Sequence, residues 1–244
     1  MSLNLAIDIG NSRTKFGLFQ ERKLLQSFLL NNEELEKNHQ IFEAYPADFY
    51  IVSSVNKSAE VQLNLEKFGE KLIHLRPDSK LPILIKYQSP ETLGKDRISA
   101  VIGASVQFSN QNLLVIDCGT CITYDFLTAK NEYMGGAISP GVQMRLNALN
   151  NYTNQLPLLH WDTITKPETI GNTTITSMLS GVINGLIEEI NGFISSYQKQ
   201  FFDLKIVLTG GDANFFEKEL KNGIFADPNL VLKGLNEILI HHHL

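Results

Sequence analysis

The sequence predicts an α/β protein made of two similar lobes, on three observations. Short apolar runs bounded by Gly, Asn, Ser and Pro alternate with longer stretches of helical periodicity. A strand, turn, strand pattern occurs twice, once in each half of the chain. The 244 residues exceed one average domain of roughly 100–200 residues and fall well short of three.

Leu3–Ile9, Lys15–Phe19 and Leu24–Leu30 read as consecutive strands with short connections. Asn32–Tyr45 is charged, with apolar Leu35, Ile41 and Phe42, and reads as a helix ended by Pro46. Phe49–Val55 is a buried strand, Ala59–Phe68 a helix with Val61, Leu65 and Phe68 on one face, and Lys71–Leu75 a strand. Three prolines punctuate Arg76–Pro90 as a loop. Asp96–Phe108 carries Ile98, Val101, Ile102 and Ser105 at helical spacing directly after Gly94. Strands follow at Leu113–Cys118, Cys121–Leu127 and Glu132–Ile138, then Ser139-Pro140-Gly141 and a helix, Val142–Leu149. The longest periodic segment, Ile175–Tyr197, has the wide apolar face of a buried helix. Gly181 and Gly185 on it suggest close approach of another backbone, since each costs about 1 kcal/mol relative to Ala. Leu204–Thr209 is a strand, Gly210-Gly211 a turn, and a last helical region closes the chain.

The internal echo organises these elements. Leu5-Ala-Ile-Asp8-Ile-Gly10-Asn11-Ser-Arg-Thr14 superposes without a gap on Leu114-Val-Ile-Asp117-Cys-Gly119-Thr120-Cys-Ile-Thr123, at an offset of 109 residues. The offset is about one lobe, which divides the chain into residues 1–112 and 113–244.

Composition excludes several classes. With 43% hydrophobic and 19% charged residues the chain is neither disordered nor collagen-like. A net charge of −5 argues against nucleic acid or an anionic membrane as partner. No run approaches the roughly 18 apolar residues of a membrane span, and Leu3–Ile9 is too short for a signal peptide and is broken by Asp8. Two cysteines build no disulfide framework, which points to a reducing cytoplasm. Met1-Ser2-Leu3 and His241-His242-His243 are given no functional weight.

The chemistry lies in the turns. Each Asp-x-Gly ends a buried strand with a carboxylate and a glycine, which lets backbone N–H groups turn outward toward a phosphate. If the lobes face each other, Asp8 and Asp117 converge, and paired carboxylates favour a cation between them. Lys15 supplies positive charge for phosphoryl oxygens; at the matching place in the echo stands Tyr124. Gly94-Lys95-Asp96-Arg97 opens a helix. There the dipole favours the Asp96 carboxylate, which can accept a hydrogen bond from a substrate hydroxyl, while Arg97 offers a forked donor for a carboxylate. Gly135-Gly136-Ala137-Ile138-Ser139-Pro140-Gly141 makes a tight loop before a helix, and Thr209-Gly210-Gly211-Asp212 a turn against which a flat base can lie. Cys118-Gly119-Thr120-Cys121 has the C-x-x-C spacing, but Cys121 runs into a strand where a redox motif opens a helix, and no His pair completes a zinc site.

In order along nearly the whole chain, Asp8-Ile-Gly-Asn-Ser-Arg-Thr-Lys15, Ser53-Ser54-Val55, Gly94-Lys-Asp-Arg97, Asp117-Cys-Gly-Thr120, Gly135-Gly-Ala-Ile-Ser-Pro-Gly141, Asn172-Thr173-Thr174 and Thr209-Gly-Gly-Asp212 resemble the motifs of type III pantothenate kinase. The resemblance implies two actin-like (ribonuclease H-like) ATPase lobes, with mixed sheets flanked by helices. It implies transfer of the γ-phosphoryl group of ATP to the primary hydroxyl of pantothenate, the first step of coenzyme A biosynthesis. It makes Asp96 the catalytic base, and Asp8, Gly10, Asn11 and Lys15 the first phosphate and Mg²⁺ turn. Gly119, Thr120, Gly210 and Gly211 become nucleotide residues, with Asp117 near metal or a monovalent cation, K⁺ or NH₄⁺. Tyr87, Gly94, Arg97, Gly136 and Ile138 would bind pantothenate, with Thr173 reaching in from the second subunit of a homodimer.

Two other readings remain. A regulator of the same fold would bind ligand without transferring phosphate; intact Asp8, Lys15, Asp96 and Asp117 oppose it. A sugar or acetate kinase of the superfamily is disfavoured by the length of the chain. The segment from Asn150 to Thr169, with Trp161, matches no motif and suits a flap or a dimer contact.

Overall fold

Strand β1 (Leu3–Ile9) is buried continuously from Asn4 to Ile7, the signature of a strand covered on both faces at the centre of a sheet. The structure, a computed structural model, describes residues 2–36, 41–162, 165–220 and 223–243. Packing divides the chain into two units: Met1–Ser109 with Asn131–Tyr133 and Asn229–Leu244, and Asn110–Lys130 with Met134–Pro228.

In the first unit β1 is followed by β2 (Arg13–Gln20), β3 (Lys23–Asn31), a 3-10 turn at Asn32–Glu34, α1 (Ile41–Ala44), β4 (Phe49–Ser54), α2 (Lys57–Gln62) and β5 (Leu72–His74). The sheet order is β3-β2-β1-β4-β5. The hairpin pairs β1–β2 and β2–β3 are antiparallel, whereas β1–β4 and β4–β5 are parallel. Leu5, Ile7, Phe16, Leu35, Tyr50, Val52 and Leu65 form the core beneath it.

The helix expected over Asn32–Tyr45 is shorter than its composition suggests: a 3-10 turn and α1 are described, and residues 37–40 of that expectation lie outside the described residues. The helix expected over Ala59–Phe68 ends at Gln62. It gives way to 3-10 turns over Leu65–Lys71 broken at Gly69, whose φ of +53° is the left-handed conformation that glycine tolerates. The proline-rich loop contains one short strand, β6 (Leu84–Ile85), paired in parallel with Glu132–Tyr133.

Helix α3 (Lys95–Gln107) carries the Gly94–Arg97 motif at its N-terminus. It crosses the C-terminal helix α7 (Leu230–His242) backbone to backbone: a Cβ on Gly103 would lie 2.2 Å from the Leu230 carbonyl oxygen, and one on Gly234 1.7 Å from that of Ser99. Asn236 of α7 accepts from the Asn4 amide at 2.9 Å, and Glu237 accepts from Arg22 Nε at 2.7 Å and from Arg22 Nη2 at 2.8 Å. The last helix thus packs within the first unit, although the division of the sequence at residue 112 leaves it with the second half.

The second unit contains β7 (Asn112–Cys118), β8 (Cys121–Leu127), β9 (Glu132–Pro140) from Met134 onward, α4 (Val142–Asn151), α5 (Thr174–Gln200), β10 (Leu204–Thr209), α6 (Ala213–Glu219) and β11 (Ile224–Ala226). Its strands run β11-β10-β7-β8-β9, the order of the first sheet repeated: a three-strand meander, then two strands joined in parallel on the far side of its first strand. Ile116, Tyr124, Leu146, Ile183, Leu186, Ile190, Leu208 and Phe216 fill its core. On α5 the expected close approach at Gly181 and Gly185 is not found among the described residues, where nothing lies within 4 Å of a Cβ at either position. Residues 163–164 of the Asn150–Thr169 segment, and residues 221–222 and 244 of the final helical region, lie outside the described residues.

Candidate active site

In both sheets the Asp-x-Gly turn sits where a central strand ends beside a parallel neighbour, the edge at which open α/β sheets bind ligands. Asp8 lies alongside Ser53 of β4, and Asp117 alongside Thr209 of β10. The turns differ in length. Register places Lys15 opposite Asp8 but Thr123 opposite Asp117, so the second connection is one residue shorter than the gapless echo implies. Opposed residues of an antiparallel pair share a face. The counterpart of Lys15 is therefore Thr123, and Tyr124 turns into the core, where it stacks on Phe193 at 4.0 Å.

The first unit gathers one set of the singled-out residues. Burial, then the Asp96 charge, raise the Asp8 carboxyl from its ordinary 3.8 to about 7, with Lys15 pulling the other way. Asp96 is exposed at the first turn of α3 and accepts a hydrogen bond from the Arg97 backbone N–H at 2.9 Å. Lys95 reaches the Ser54 carbonyl at 3.5 Å, tying α3 to the end of β4. Arg97 is buried, its guanidinium 5.9 Å from the centre of the Tyr87 ring, and Tyr87 is itself 6.1 Å from Tyr133. Gly94 is the N-cap of α3, and a Cβ there would fall 2.5 Å from Asp96 Oδ1, so that the Asp96 side chain would have to move aside. Gly10, Asn11, Lys15, Asp8, Asp96, Arg97, Tyr87 and Gly94 thus belong to one packed body.

The second unit gathers another. Gly210, at φ +96°, lies against the Asp117 turn: a Cβ there would be 2.4 Å from both Asp117 Oδ1 and the Cys118 carbonyl oxygen. The Asp212 N–H donates to that carbonyl at 2.9 Å, and the Gly141 N–H to the Thr120 carbonyl at 3.0 Å. Thr120 and Gly211 are exposed beside them. Trp161, in the segment without a motif, donates from Nε1 to Asp212 Oδ1 at 3.2 Å and meets Phe215 edge to face, so it anchors the Gly210–Asp212 turn.

Gly136 and Ile138 lie apart from Thr173. Gly136 approaches β8 so closely that a Cβ would overlap the Tyr124 carbonyl oxygen, which gives this glycine a packing role in its own right. It lines a cavity of about 660 Å³ with Phe126, Glu189 and Tyr197. Thr173 is the N-cap of α5, accepting from the Thr176 N–H at 3.2 Å, and lines a separate groove of about 1230 Å³ with Arg145, Tyr152 and Asn172. Ile138 is 62% exposed.

Sequence reasoning missed the groups behind these loops. Arg145 donates to Glu189 Oε2 at 2.6 Å, to Ser139 Oγ at 2.8 Å and to the Pro140 carbonyl at 2.8 Å, while the Tyr124 hydroxyl donates to Glu189 Oε1 at 3.1 Å. Burial pushes the Glu189 carboxyl up, but hydrogen bonds from Arg145 and Ser139 outweigh it and the net direction is down. Burial and then Glu189 push the Tyr124 hydroxyl up. No local motif marks this network, because its members come from β8, β9, α4 and α5.

Residues 4–196 match the family profile described as type III pantothenate kinase. A relative from Flavobacterium johnsoniae bearing that name is 44% identical over 243 residues, covering 96% of each chain. Among solved structures, a Campylobacter jejuni protein described as belonging to the Baf family of transcriptional activators superposes with a TM-score of 0.65 at 22% identity, over 98% of both chains. A ROK family glucokinase from Streptomyces griseus superposes with a TM-score of 0.52 at 10% identity, over 97% of this chain and 98% of that one. At these identities the two superpositions establish the fold alone, which this chain shares with that glucokinase.

Proposed function

The chain belongs to the type III pantothenate kinase family, and on that premise we propose that it phosphorylates pantothenate at its primary hydroxyl with ATP, the first step of coenzyme A biosynthesis. The observation that carries the reading is the 44% identity, along nearly its whole length, to a relative of that name. The regulator reading finds no support in that relative, which carries the kinase's name.

Phosphoryl transfer is mostly positioning and charge neutralisation, because the transition state is loose and its charge spreads over the equatorial oxygens. We assign the ATP phosphates to the Gly10–Asn11 turn with Lys15, and further nucleotide contacts to Gly119, Thr120, Gly210 and Gly211. Asp96 orients the pantothenate hydroxyl and receives its proton late in transfer. Support comes from its exposure at the head of α3, with Oδ1 fixed by the Arg97 N–H at 2.9 Å. Arg97, packed near Tyr87, takes the pantothenate carboxylate, and we assign Gly94, Gly136 and Ile138 to pantothenate binding as well.

The residues fit a divalent cation: burial and the nearby Asp96 charge both push the Asp8 carboxyl up, and a cation beside it would offset both. Among the described residues no group of three or more His, Cys, Asp or Glu forms a metal cage, which suits an ion that keeps phosphate and water ligands. Mg²⁺ bound at Asp8 would supply neutralisation of phosphoryl charge. We assign K⁺ or NH₄⁺ to the neighbourhood of Asp117.

A homodimer belongs to the same reading, with the second copy contributing Thr173. It is supported by the small residues Gly181, Gly185 and Gly192 on α5, which leave open space for another backbone. A light-scattering mass near twice 27.4 kDa is the expected result. No helix among the described residues is long and apolar enough to cross a membrane, and we place the enzyme in the cytoplasm, where its free cysteines 118 and 121 stay reduced.

The test is a coupled assay of ADP release with ATP, Mg²⁺ and K⁺, with and without pantothenate. Pantothenate-dependent turnover is expected. Absence of turnover in a protein that still binds pantothenate would overturn the kinase reading in favour of a regulator.

A further inference from the structure

The turn between β1 and β2 is held from behind by side chains remote from it in sequence. Asn32 Nδ2 donates to the carbonyl oxygens of both Gly10, at 3.0 Å, and Asn11, at 3.1 Å. Asn56 Nδ2 donates to the Asn11 carbonyl as well, at 3.1 Å. The Asn32 backbone N–H takes the Ser12 carbonyl at 2.9 Å, and the Gly10 N–H closes the turn on the Arg13 carbonyl at 3.0 Å. In a planar trans peptide the N–H points opposite to the C=O. Carbonyls of Gly10 and Asn11 drawn toward Asn32 therefore turn the N–H groups of Asn11 and Ser12, both exposed residues, to the other side of the turn.

The orientation of the Asn32 amide is itself enforced. Thr14 Oγ1 donates to Asn32 Oδ1 at 2.7 Å, and both residues are buried. Only the NH₂ end of the amide can donate to two carbonyls, and the hydroxyl proton of Thr14 holds the oxygen end in place. The β2–β3 pairing explains how Asn32 arrives there: Arg13 stands opposite Asn31, so the hairpin returns the chain directly beneath the turn.

We propose that Asn32, oriented by Thr14 and assisted by Asn56, is a positioning residue for the nucleotide: its side-chain amide holds the Gly10 and Asn11 carbonyls back and so sets the N–H groups of Asn11 and Ser12 toward the phosphates. The proposal rests on the assignment of that turn to ATP. It makes the buried Thr14 hydroxyl, which touches no substrate, a determinant of nucleotide affinity.

The experiment separates this from the kinase reading by measuring equilibrium binding of MgADP without pantothenate, beside turnover of the wild-type protein. Thr14→Val keeps the shape of the side chain and deletes the donor; Thr14→Ser keeps the donor. Asn56→Ser retains an oxygen for the N-cap of α2, where Asn56 Oδ1 accepts from the Ala59 N–H at 3.2 Å, and removes the amide that holds Asn11. We expect T14V to weaken MgADP about tenfold or more, T14S to bind within about twofold of wild type, and N56S to fall between them, with KM for pantothenate nearly constant in all three. T14V at wild-type MgADP affinity would overturn the proposal. So would N56S at wild-type affinity if T14V fails to fold, or a loss in T14V that T14S shares equally. Wild-type protein that binds MgADP but does not phosphorylate pantothenate would refute the kinase reading while leaving this one standing on the binding data.

Discussion

Two turns of this chain begin with the same Asp-x-Gly and end parallel-paired strands in sheets of the same order, yet they are held by opposite means. The Asp8 turn is backed by side chains, the amides of Asn32 and Asn56. The Asp117 turn is backed by backbone: the N–H groups of Asp212 and Gly141 donate to the carbonyls of Cys118 and Thr120, and neither Gly210 nor Gly141 leaves room for a Cβ. Support by side chains can be removed with a polar group; support by close-packed backbone is broken by adding a methyl. Their electrostatics differ too, since Lys15 faces Asp8 and Thr123 faces Asp117. A duplicated motif has thus diverged in its supports while keeping its topology.

The largest effect that sharpens this contrast comes from Asp96, the acidic neighbour of the first turn. Asp96→Asn should lower kcat by about 10²–10⁴, the usual range for a positioned acid–base group, with a smaller change in KM for ATP. Turnover near wild type in that variant would remove Asp96 from the catalytic role. Next is Gly210→Ala, which places a methyl on Asp117 and the Cys118 carbonyl at a φ of +96°. It should reduce kcat/KM for ATP by roughly 10–100-fold and destabilise the protein by about 1–3 kcal/mol. A variant with unchanged nucleotide kinetics would contradict the account of a backbone-packed second turn.

A smaller effect follows from Asp8. Its folded value of about 7 stands above the roughly 3.9 of an unfolded Asp, so the neutral carboxyl favours the folded state. That contribution is complete below about pH 4, declines as pH rises, and is gone above about pH 7. Thermal melts of the nucleotide-free protein should show this decline across the window, and Asp8→Asn should flatten it; parallel curves for the two proteins would refute the shift. The smallest effect concerns Cys118, a free cysteine buried at the second turn. Burial, then Asp117 and Asp212, push its thiol well up. A thiolate-directed reagent applied to the folded protein should leave Cys118 unmodified and react with it only after denaturation, as peptide mapping would show.

Much of the candidate site was legible because its parts are local. Asp-x-Gly turns, the Gly94–Arg97 helix start and the glycine loops are short motifs whose backbone demands are written in adjacent residues. What escaped lies at long sequence separation. Nothing near Asn11 announces that Asn32 and Asn56 will lie behind it. Nothing in β9 announces Arg145 and Glu189, and the Trp161 bond to Asp212 joins residues 51 apart. The gapless echo misplaced Tyr124 because a one-residue difference in a hairpin changes which face a side chain takes, and only pairing reveals it.

The amino-acid sequence by itself determined the α/β alternation, the duplication and the residue types at each turn, because periodicity and turn chemistry act over a few neighbours. Tertiary structure alone decided that α7 returns to the first unit, locked at Gly103 and Gly234 where two helix backbones touch. It also decided which carbonyls are held and which N–H groups are left to turn outward. Those outcomes depend on sheet register and on the crossing of distant elements, which exist only once the chain has closed its long loops.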